Sequence, residues 1–188
     1  MNSSINTKRI ALAGLFTAAA LIIRFVEVPI FPAAPYLKFD PSGIVCLIAA
    51  LAFGPQLGAG VTILSWVPDM FLDPFGALMG VLNTLCLVIP SALIYDRSGR
   101  TRAGSVAGMA VGAILAIIAS CAANLVITPL YSAVSVEQVV AMIIPILLPF
   151  NALKMAITVV AGQVLLSPCM NVLTAQTDAP HDGNLSHA

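Results

Sequence analysis

The chain has 188 residues, of which 60% are hydrophobic and only 9% are charged, and its formal net charge is zero at pH 7. Soluble domains carry about 25% charged residues, so this composition is typical of an integral membrane protein. A net charge of zero provides no positive potential to attract nucleic acid. The apolar runs are too continuous for the alternating strands of a transmembrane barrel, so the membrane-spanning segments are expected to be helices.

Six transmembrane helices are predicted, which makes the fold an all-α integral membrane bundle. Two helices are introduced by an aspartate and a proline, Asp40 before Pro41 and Asp73 before Pro74, which suit an N-cap and the first helical position. Gly54 and Pro55 mark a turn between the second and third helices. In chain order the helices are expected at about 8–28, 41–54, 56–72, 73–95, 103–128 and from between Pro145 and Pro149 to Val172.

Basic residues in the short loops predict the orientation. Lys8 and Arg9 precede the first helix, while Arg97, Arg100 and Arg102 follow the fourth, so an even number of crossings places both groups on one side. Lys and Arg concentrate in cytoplasmic loops, so both termini are expected to be cytoplasmic, with the protein in the cytoplasmic membrane. The loops at 29–40, 72–75 and 129–142 then face outward, and the last has room for a short helix.

Residues 1–174 are assigned to the membrane domain and residues 175–188 to a polar C-terminal tail that is predicted to be disordered. The apolar run after Lys8 and Arg9 also fits a signal peptide. Arg24 and Glu27 interrupt the approach to any cleavage site, however, and this favours a helix that is retained. The four cysteines stand singly in apolar runs and are interpreted as packing residues.

Asn151 and Lys154 are the strongest pointer to a ligand site, because they lie within a stretch that should be in lipid. A charge at membrane depth costs about 2.5–3.5 kcal/mol on insertion scales, and such residues usually face a cavity or a partner. The two residues are three positions apart and share a helix face. Lys154 could instead form a structural ion pair or extend to the headgroups, and Asn151 could cap or cross-link helices.

Further polar candidates each have a structural alternative. Asn83 and Asn124 lie inside predicted helices, where they could contact a ligand or hydrogen-bond a neighbouring helix. Asp40 is expected to cap a helix more than to bind a ligand. Lys38 could bind a ligand from its loop or be solvated.

Aromatic residues near the outer boundary could stack on a planar heterocycle or form an interfacial belt. These residues are Tyr36, Phe39, Trp66 and Tyr131. Arg24 and Glu27, three apart near the end of the first helix, are expected to form a surface pair.

Five segments in order along the chain resemble the substrate-binding S components of energy-coupling factor (ECF) vitamin transporters, most closely the riboflavin-type branch. They are YLKFDPS at 36–42, FGP at 53–55, DPFGALM at 73–79, NLVITPLY at 124–131 and LPFNALK at 148–154. The resemblance implies a six-helix S-component bundle with cytoplasmic termini, in agreement with the helix count and the loop charges. It implies riboflavin as the transported ligand and no cofactor or metal.

The chain departs from the family pattern at three places. An acidic residue and a proline are expected after the Asp-Pro-Ser element, where residues 43–45 are Gly-Ile-Val. An asparagine is expected where this chain has Gly80, and the third helix lacks an expected lysine. These departures concern the identity of the ligand, and another vitamin such as cobalamin is the alternative.

The resemblance also implies partners, namely a membrane coupling subunit that carries two cytoplasmic ATPases. Docking in the family uses small residues on the first helix, here Ala11, Gly14 and Ala18. Packing inside the bundle is the rival interpretation of these residues. The expected substrate-binding set is Lys154, Asn151, Asn124, Asn83, Lys38, Asp40, Tyr36, Phe39 and Tyr131.

No catalytic constellation or phosphate-binding loop is visible in the sequence, so the chain is not expected to be an enzyme and ATP hydrolysis is expected from partner subunits. The carboxylates show no spacing typical of a metal site. Two functions of another class stay open, a small intramembrane enzyme acting on lipid and an assembly factor without a ligand. Riboflavin uptake by a binding subunit is the preferred hypothesis.

Overall fold

The computed structural model describes residues 7–32 and 37–178, and every long regular element in these ranges is helical. In chain order the elements are α1 (Thr7–Arg24), α2 (Ser42–Phe53), α3 (Pro55–Trp66), α4 (Asp69–Leu72), α5 (Pro74–Arg97), α6 (Arg102–Tyr131), α7 (Val136–Met142), a π-helical turn (Ile143–Leu147) and α8 (Leu148–Asp178). Six of them, α1, α2, α3, α5, α6 and α8, correspond to the six predicted helices.

Several predicted boundaries were wrong. The first helix ends at Arg24, before Val28, and the third breaks near Pro68 into α3 and the short α4. α8 begins at Leu148, between Pro145 and Pro149 as predicted, and helical backbone in α7 and the π-helical turn leads directly into it. Pro145 lies in that turn, where it lacks the N–H that an α-helical bond would need. α8 extends to Asp178, and the rest of the predicted tail lies outside the described residues.

The helices differ in how far they could reach across a membrane. α5, α6 and the continuous helical segment Val136–Leu173 are long and apolar enough to cross it, whereas α2 is a shorter apolar helix. α2 and α3 have 12 residues each and rise only about 18 Å. α2 lies at the centre of the bundle, in contact with α1, α3, α5 and α8, and every residue from Cys46 to Phe53 is buried.

The C-terminal end of α2 receives two arginine side chains from distant parts of the chain. Arg9 Nη2 donates to the carbonyl of Phe53 at 2.6 Å, and Arg100 Nη1 donates to the carbonyl of Ala52 at 3.3 Å. These carbonyls are among the last of α2, which have no partner within the helix. The two basic segments predicted to share one side of the membrane therefore lie at the same end of the bundle.

Close backbone packing between α5 and α6 positions the polar residues of the site. A Cβ at Gly108 or Gly112 would meet the backbone of Ser91 or Leu87 on α5. Ser91 Oγ also donates to the Gly108 carbonyl at 3.2 Å. Glycine at these positions lets the two helices approach closely, as small residues do in membrane bundles.

The orientation of the bundle can be tested by thiol labelling. Positive-inside bias predicts that a cysteine at Ser98 is cytoplasmic, while one at Ala133, just beyond the far end of α6, is external. In whole cells an impermeant maleimide should label Ala133→Cys and leave Ser98→Cys unlabelled until the membrane is permeabilised. The opposite pattern would contradict the orientation. The native cysteines, replaced first, are Cys46, Cys86, Cys121 and Cys169.

Candidate ligand-binding site

A cavity of about 430 Å³ lies toward the end of the bundle opposite Arg9 and Arg100, where the loop before α2 meets α1, α3, α5, α6 and α8. It is of the size of small-molecule sites, which span about 300–1,000 Å³. Seven of the nine predicted substrate-binding residues line it: Lys38, Asp40, Asn83, Asn124, Tyr131, Asn151 and Lys154. Tyr36 lies outside the described residues. Phe39 is buried and is not part of the lining.

Asn83 connects α5 to α6 and still offers an acceptor to the cavity. Its side chain is buried, and its Nδ2 donates to Ser120 Oγ and, at 3.2 Å, to the carbonyl of Ala116. Among the described residues no donor bonds its Oδ1. The inter-helix role predicted as an alternative for Asn83 is therefore confirmed, and it leaves one polar atom available to a ligand.

Asn124 bonds within its own helix, and Asn151 of α8 bonds back to the π-helical turn that precedes it. Asn151 Nδ2 donates to the Leu147 carbonyl at 2.8 Å, and its side chain is buried. Asn124 Nδ2 donates to the Ser120 carbonyl at 2.8 Å, while its Oδ1 accepts from Thr128 at 2.9 Å. Asn151 Oδ1 has no donor among the described residues, so the cavity has a second open amide acceptor on α8.

Lys154 lies one helical turn beyond Asn151 on the same face of α8 and also lines the cavity. No carboxylate of the described residues lies within ion-pair distance of its ammonium. Asp40 is the acidic residue whose charge acts on it, and Arg24 is the neighbouring cation. The structure therefore gives Lys154 no ion pair, and its ammonium is free to donate to a ligand.

The loop between α1 and α2 folds back on itself at the mouth of the cavity. Val28 and Phe39 exchange two backbone hydrogen bonds, at 2.9 and 2.8 Å. Next to this bridge, Lys38 Nζ lies 2.6 Å from Glu27 Oε2, and both side chains are about half exposed. The bridge and the ion pair hold Lys38 at the cavity mouth.

Two carboxylates accept hydrogen bonds at the starts of helices that begin beside the cavity. Asp40 accepts hydrogen bonds from the Ser42 N–H at 2.8 Å and from Ser42 Oγ at 2.9 Å at the start of α2. Asp73 is the N-cap of α5 and accepts from the Gly76 N–H at 3.0 Å. The predicted cap at Asp73 is confirmed. The predicted cap at Asp40 was wrong by one residue, because α2 begins at Ser42 with Pro41 at the N-cap position, and Asp40 instead bonds the first residue of the helix.

The predicted surface pair of Arg24 and Glu27 was wrong. α1 ends at Arg24, so Glu27 is not on the same helix face and pairs with Lys38 instead. Arg24 is buried and lines the cavity, with its Nε 2.6 Å from Asp69 Oδ2. The ion pair joins the C-terminal end of α1 to α4, a tertiary contact that spacing along the sequence does not reveal.

Arg24 also holds the indole of Trp66 in the cavity wall. Its guanidinium carbon lies 2.9 Å from the centroid of the Trp66 ring. The benzene edge of the indole fills the space that a Cβ at Gly80 of α5 would occupy. The indole of Trp66 therefore leaves no room for a side chain at position 80. This explains the glycine there, which is one of the departures from the family pattern.

The small residues predicted for docking lie on the outside of the bundle. Ala11, Gly14 and Ala18 are all exposed, and a Cβ at Gly14 would meet no atom within 4 Å. The buried face of α1 carries Ala13, Ala20 and Arg24 instead. The three small residues therefore do not pack within the bundle, which was the rival interpretation.

Comparison with known proteins places most of the chain in one family. Residues 8–166 match the family described as the ECF transporter, substrate-specific component. A solved structure described as the S component of a bacterial ECF transporter superposes with a TM-score of 0.75 at 25% identity, over 88% of this chain and 97% of the other.

Similar sequences include two bacterial riboflavin transporters. The riboflavin transporter RibU of Streptococcus thermophilus is 26% identical over 180 residues, which cover 89% of this chain and 85% of that protein. The riboflavin transporter FmnP of Bacillus subtilis is 24% identical over 173 residues, which cover 85% and 90% of the two chains.

The contact between Gly80 and Trp66 makes a prediction about the cavity wall. Gly80→Ala should force the indole out of its place and lower stability by about 1–3 kcal/mol, as overpacking does. Trp66 is the only tryptophan of the chain, so its emission in detergent reports the displacement directly. We expect a shifted emission maximum and a lower melting temperature.

Gly60→Ala is the matched control, because Gly60 lies on α3 with Trp66 and a Cβ there would meet nothing within 4 Å. Gly60→Ala should neither displace the indole, as judged by its emission maximum, nor lower the melting temperature. Equal emission and melting for Gly80→Ala and the unaltered chain would contradict the close packing of the indole against α5.

Proposed function

The chain belongs to the family of substrate-specific components of ECF transporters, and from that premise we propose that it binds riboflavin for uptake across the cytoplasmic membrane. Members of this family are multi-pass membrane subunits that bind a substrate for transport and work with an ECF module. They are not enzymes, which removes the intramembrane enzyme from the hypotheses.

The observation that carries the proposal is the set of uncommitted polar atoms in the cavity. Two amide oxygens, on Asn83 and Asn151, and the ammonium of Lys154 are open to a ligand. An isoalloxazine ring presents an N–H donor between two carbonyl acceptors along one edge. One amide oxygen can accept from that N–H while the Lys154 ammonium donates to a flanking carbonyl, which supports a flavin as the ligand.

Aromatic residues of the cavity and its rim suit a planar ring system. Trp66 and Phe150 line the cavity, and Tyr131 stacks on Phe75 with ring centroids 5.3 Å apart and an interplanar angle of 23°. Stacking on such rings adds about 0.5–1.5 kcal/mol beyond area burial. The names of the similar transporters support the same ligand.

The volume of the cavity favours riboflavin over cobalamin. A corrin with its nucleotide is several times larger than a flavin, whereas the cavity measures about 430 Å³. A cobalamin would therefore require the walls formed by Trp66 and the loop before α2 to move apart. A screen of the purified protein against a panel of vitamins tests the proposal, with riboflavin expected to bind and cobalamin not.

We further propose that α1 carries the surface that docks on the coupling subunit, which holds the two cytoplasmic ATPases. Ala11, Gly14 and Ala18 form an exposed stripe of small side chains at the end of α1 near the basic residues. In lipid, such stripes let a partner helix approach closely enough for dispersion and weak hydrogen bonds to hold the pair. Both termini are cytoplasmic in this arrangement.

Lys154→Ala tests the ligand contact. If the ammonium donates to the ligand, its removal should cost about 1.5–3 kcal/mol, which is roughly a ten- to hundredfold higher Kd for riboflavin. Quenching of flavin fluorescence on the purified subunit measures the affinity. Arg97→Gln, which removes a cation from the exposed end of α5 outside the cavity, should leave the Kd unchanged. Unchanged affinity in a folded Lys154→Ala protein would count against the contact.

Larger residues on the small stripe should separate uptake from binding. Gly14→Leu combined with Ala18→Leu should abolish uptake in cells that hold the whole complex, because the added side chains prevent the close helix approach. Riboflavin binding by the isolated subunit should persist, since neither residue lines the cavity.

The double change Ala107→Leu and Ala110→Leu is the matched control for the stripe. These residues are exposed on α6 in the same half of the bundle, and uptake should continue. Uptake that survives Gly14→Leu and Ala18→Leu would place docking elsewhere, and loss of binding in the isolated subunit would show that the stripe supports the fold.

A further inference from the structure

The helix α3 is too short to cross a membrane by itself. It begins at the end of the bundle where Arg9 and Arg100 bond the last carbonyls of α2. Its 12 residues rise about 18 Å, which leaves about 12 Å of a hydrocarbon core that is about 30 Å thick. The short helix α4, which follows α3, therefore lies in the remaining part of the core or at its boundary.

The start of α5 fixes the level of α4 independently. The 24 residues of α5 rise about 36 Å, which is enough to cross the whole hydrocarbon core. One end of α5 carries Asp96 and Arg97, so its first residues lie at the opposite boundary. Because Leu72, the last residue of α4, precedes the start of α5 by two positions, α4 lies at the hydrocarbon boundary of that end.

Large apolar side chains of α4 project away from the protein. Phe71 and Leu72 are 83% and 79% exposed, which places them among the most exposed large apolar residues of the described chain. The preceding helix α3 also exposes Ile63 and Leu64. Asp69 is the single charged residue between positions 55 and 72, so the exposed side of α3 and α4 is apolar and fits acyl chains.

α4 is a single helical turn, which is unstable alone because forming the first turn of a helix costs more free energy than its few hydrogen bonds return. On one side of the turn, Asp69 Oδ2 lies 2.6 Å from Arg24 Nε, and α4 also contacts α5. Further contact with the turn must come from outside the chain, at the exposed Phe71 and Leu72.

The position of α4 matters for the cavity wall. Arg24, which pairs with Asp69, has its guanidinium carbon 2.9 Å from the centroid of the Trp66 ring. Trp66 ends α3 and Asp69 begins α4, so one short stretch of chain supplies both partners of the guanidinium. Whatever fixes α4 in place therefore also fixes the partners of Arg24.

We propose that α4 is a lipid anchor for the cavity wall. Phe71 and Leu72 insert among phospholipid acyl chains at the hydrocarbon boundary, while Asp69 on the same turn holds Arg24 against Trp66. The partner is lipid because the level of α4 in the membrane brings acyl chains to its exposed side. The inference depends on the membrane-spanning fold and not on which ligand the cavity binds.

The first test measures what surrounds α4 when the purified full chain is placed in vesicles of phosphatidylcholine and phosphatidylglycerol. A nitroxide is attached to Phe71→Cys or Leu72→Cys after the native cysteines are replaced. Collisions with oxygen, which concentrates in hydrocarbon, should exceed collisions with a water-soluble nickel chelate. The same result is expected at Val160→Cys on the exposed side of α8, and the opposite result at Ala133→Cys, just beyond α6.

The second test asks whether the anchor positions the wall. Phe71→Ser combined with Leu72→Ser removes the apolar side chains and leaves Asp69 in place. In ligand-free protein in the same vesicles, the emission of Trp66 should shift to longer wavelength as the indole gains access to water, and the melting temperature should fall. The exchange Phe71→Leu with Leu72→Phe keeps the apolar side chains and should preserve both values.

Val160→Ser combined with Val164→Ser is the matched control for the double serine change. It removes two exposed apolar side chains from α8, and neither residue lines the cavity. The emission maximum of Trp66 should therefore stay unchanged in this variant.

Three outcomes would overturn the inference. Stronger collisions with the nickel chelate than with oxygen at positions 71 and 72 would place α4 in water. Weak collisions with both reagents would show that protein, such as a second copy of the chain, covers the helix. An emission maximum of Trp66 that the double serine change leaves unaltered would show that lipid contact at α4 does not position the wall.

Discussion

The buried guanidinium of Arg24 forms the contacts on which the cavity wall at α4 and Trp66 depends. Burying a charge costs least free energy when the charge is paired and hydrogen-bonded. Arg24 therefore gathers the Asp69 carboxylate, the Ser65 carbonyl at 3.5 Å and the face of Trp66 around itself. Loss of one partner of a buried pair costs about 3–5 kcal/mol, because the other charge stays buried. The positions of α4 and of Trp66 follow from this requirement.

The membrane class, the six helices and most of the site could be predicted from the sequence because lipid makes polar residues informative. Asn83, Asn124, Asn151 and Lys154 stand out in apolar runs, and all four line one cavity. The cap at Asp73 could be predicted because it depends only on residues three positions away.

What could not be predicted depends on tertiary contacts. The spacing of Arg24 and Glu27 suggests a pair only if the helix continues, and α1 ends at Arg24 instead. Gly80 is an unexplained departure in the sequence, and its reason is a tryptophan from a different helix. Asn83 could be assigned to helix packing or to ligand contact with equal justification, and the structure has it bonding α6 through Nδ2 while its Oδ1 remains open.

α1 carries both the exposed stripe of small residues and, at its other end, the arginine in the cavity wall. Neither proline nor glycine lies between Ala18 and Arg24, and these residues are separated by about 9 Å along an uninterrupted helix. Arg24 forms its ion pair with Asp69 at the end of α1 opposite the stripe. Because Arg24 also holds Trp66 against Gly80, one helix carries both the proposed docking stripe and a residue of the candidate cavity wall.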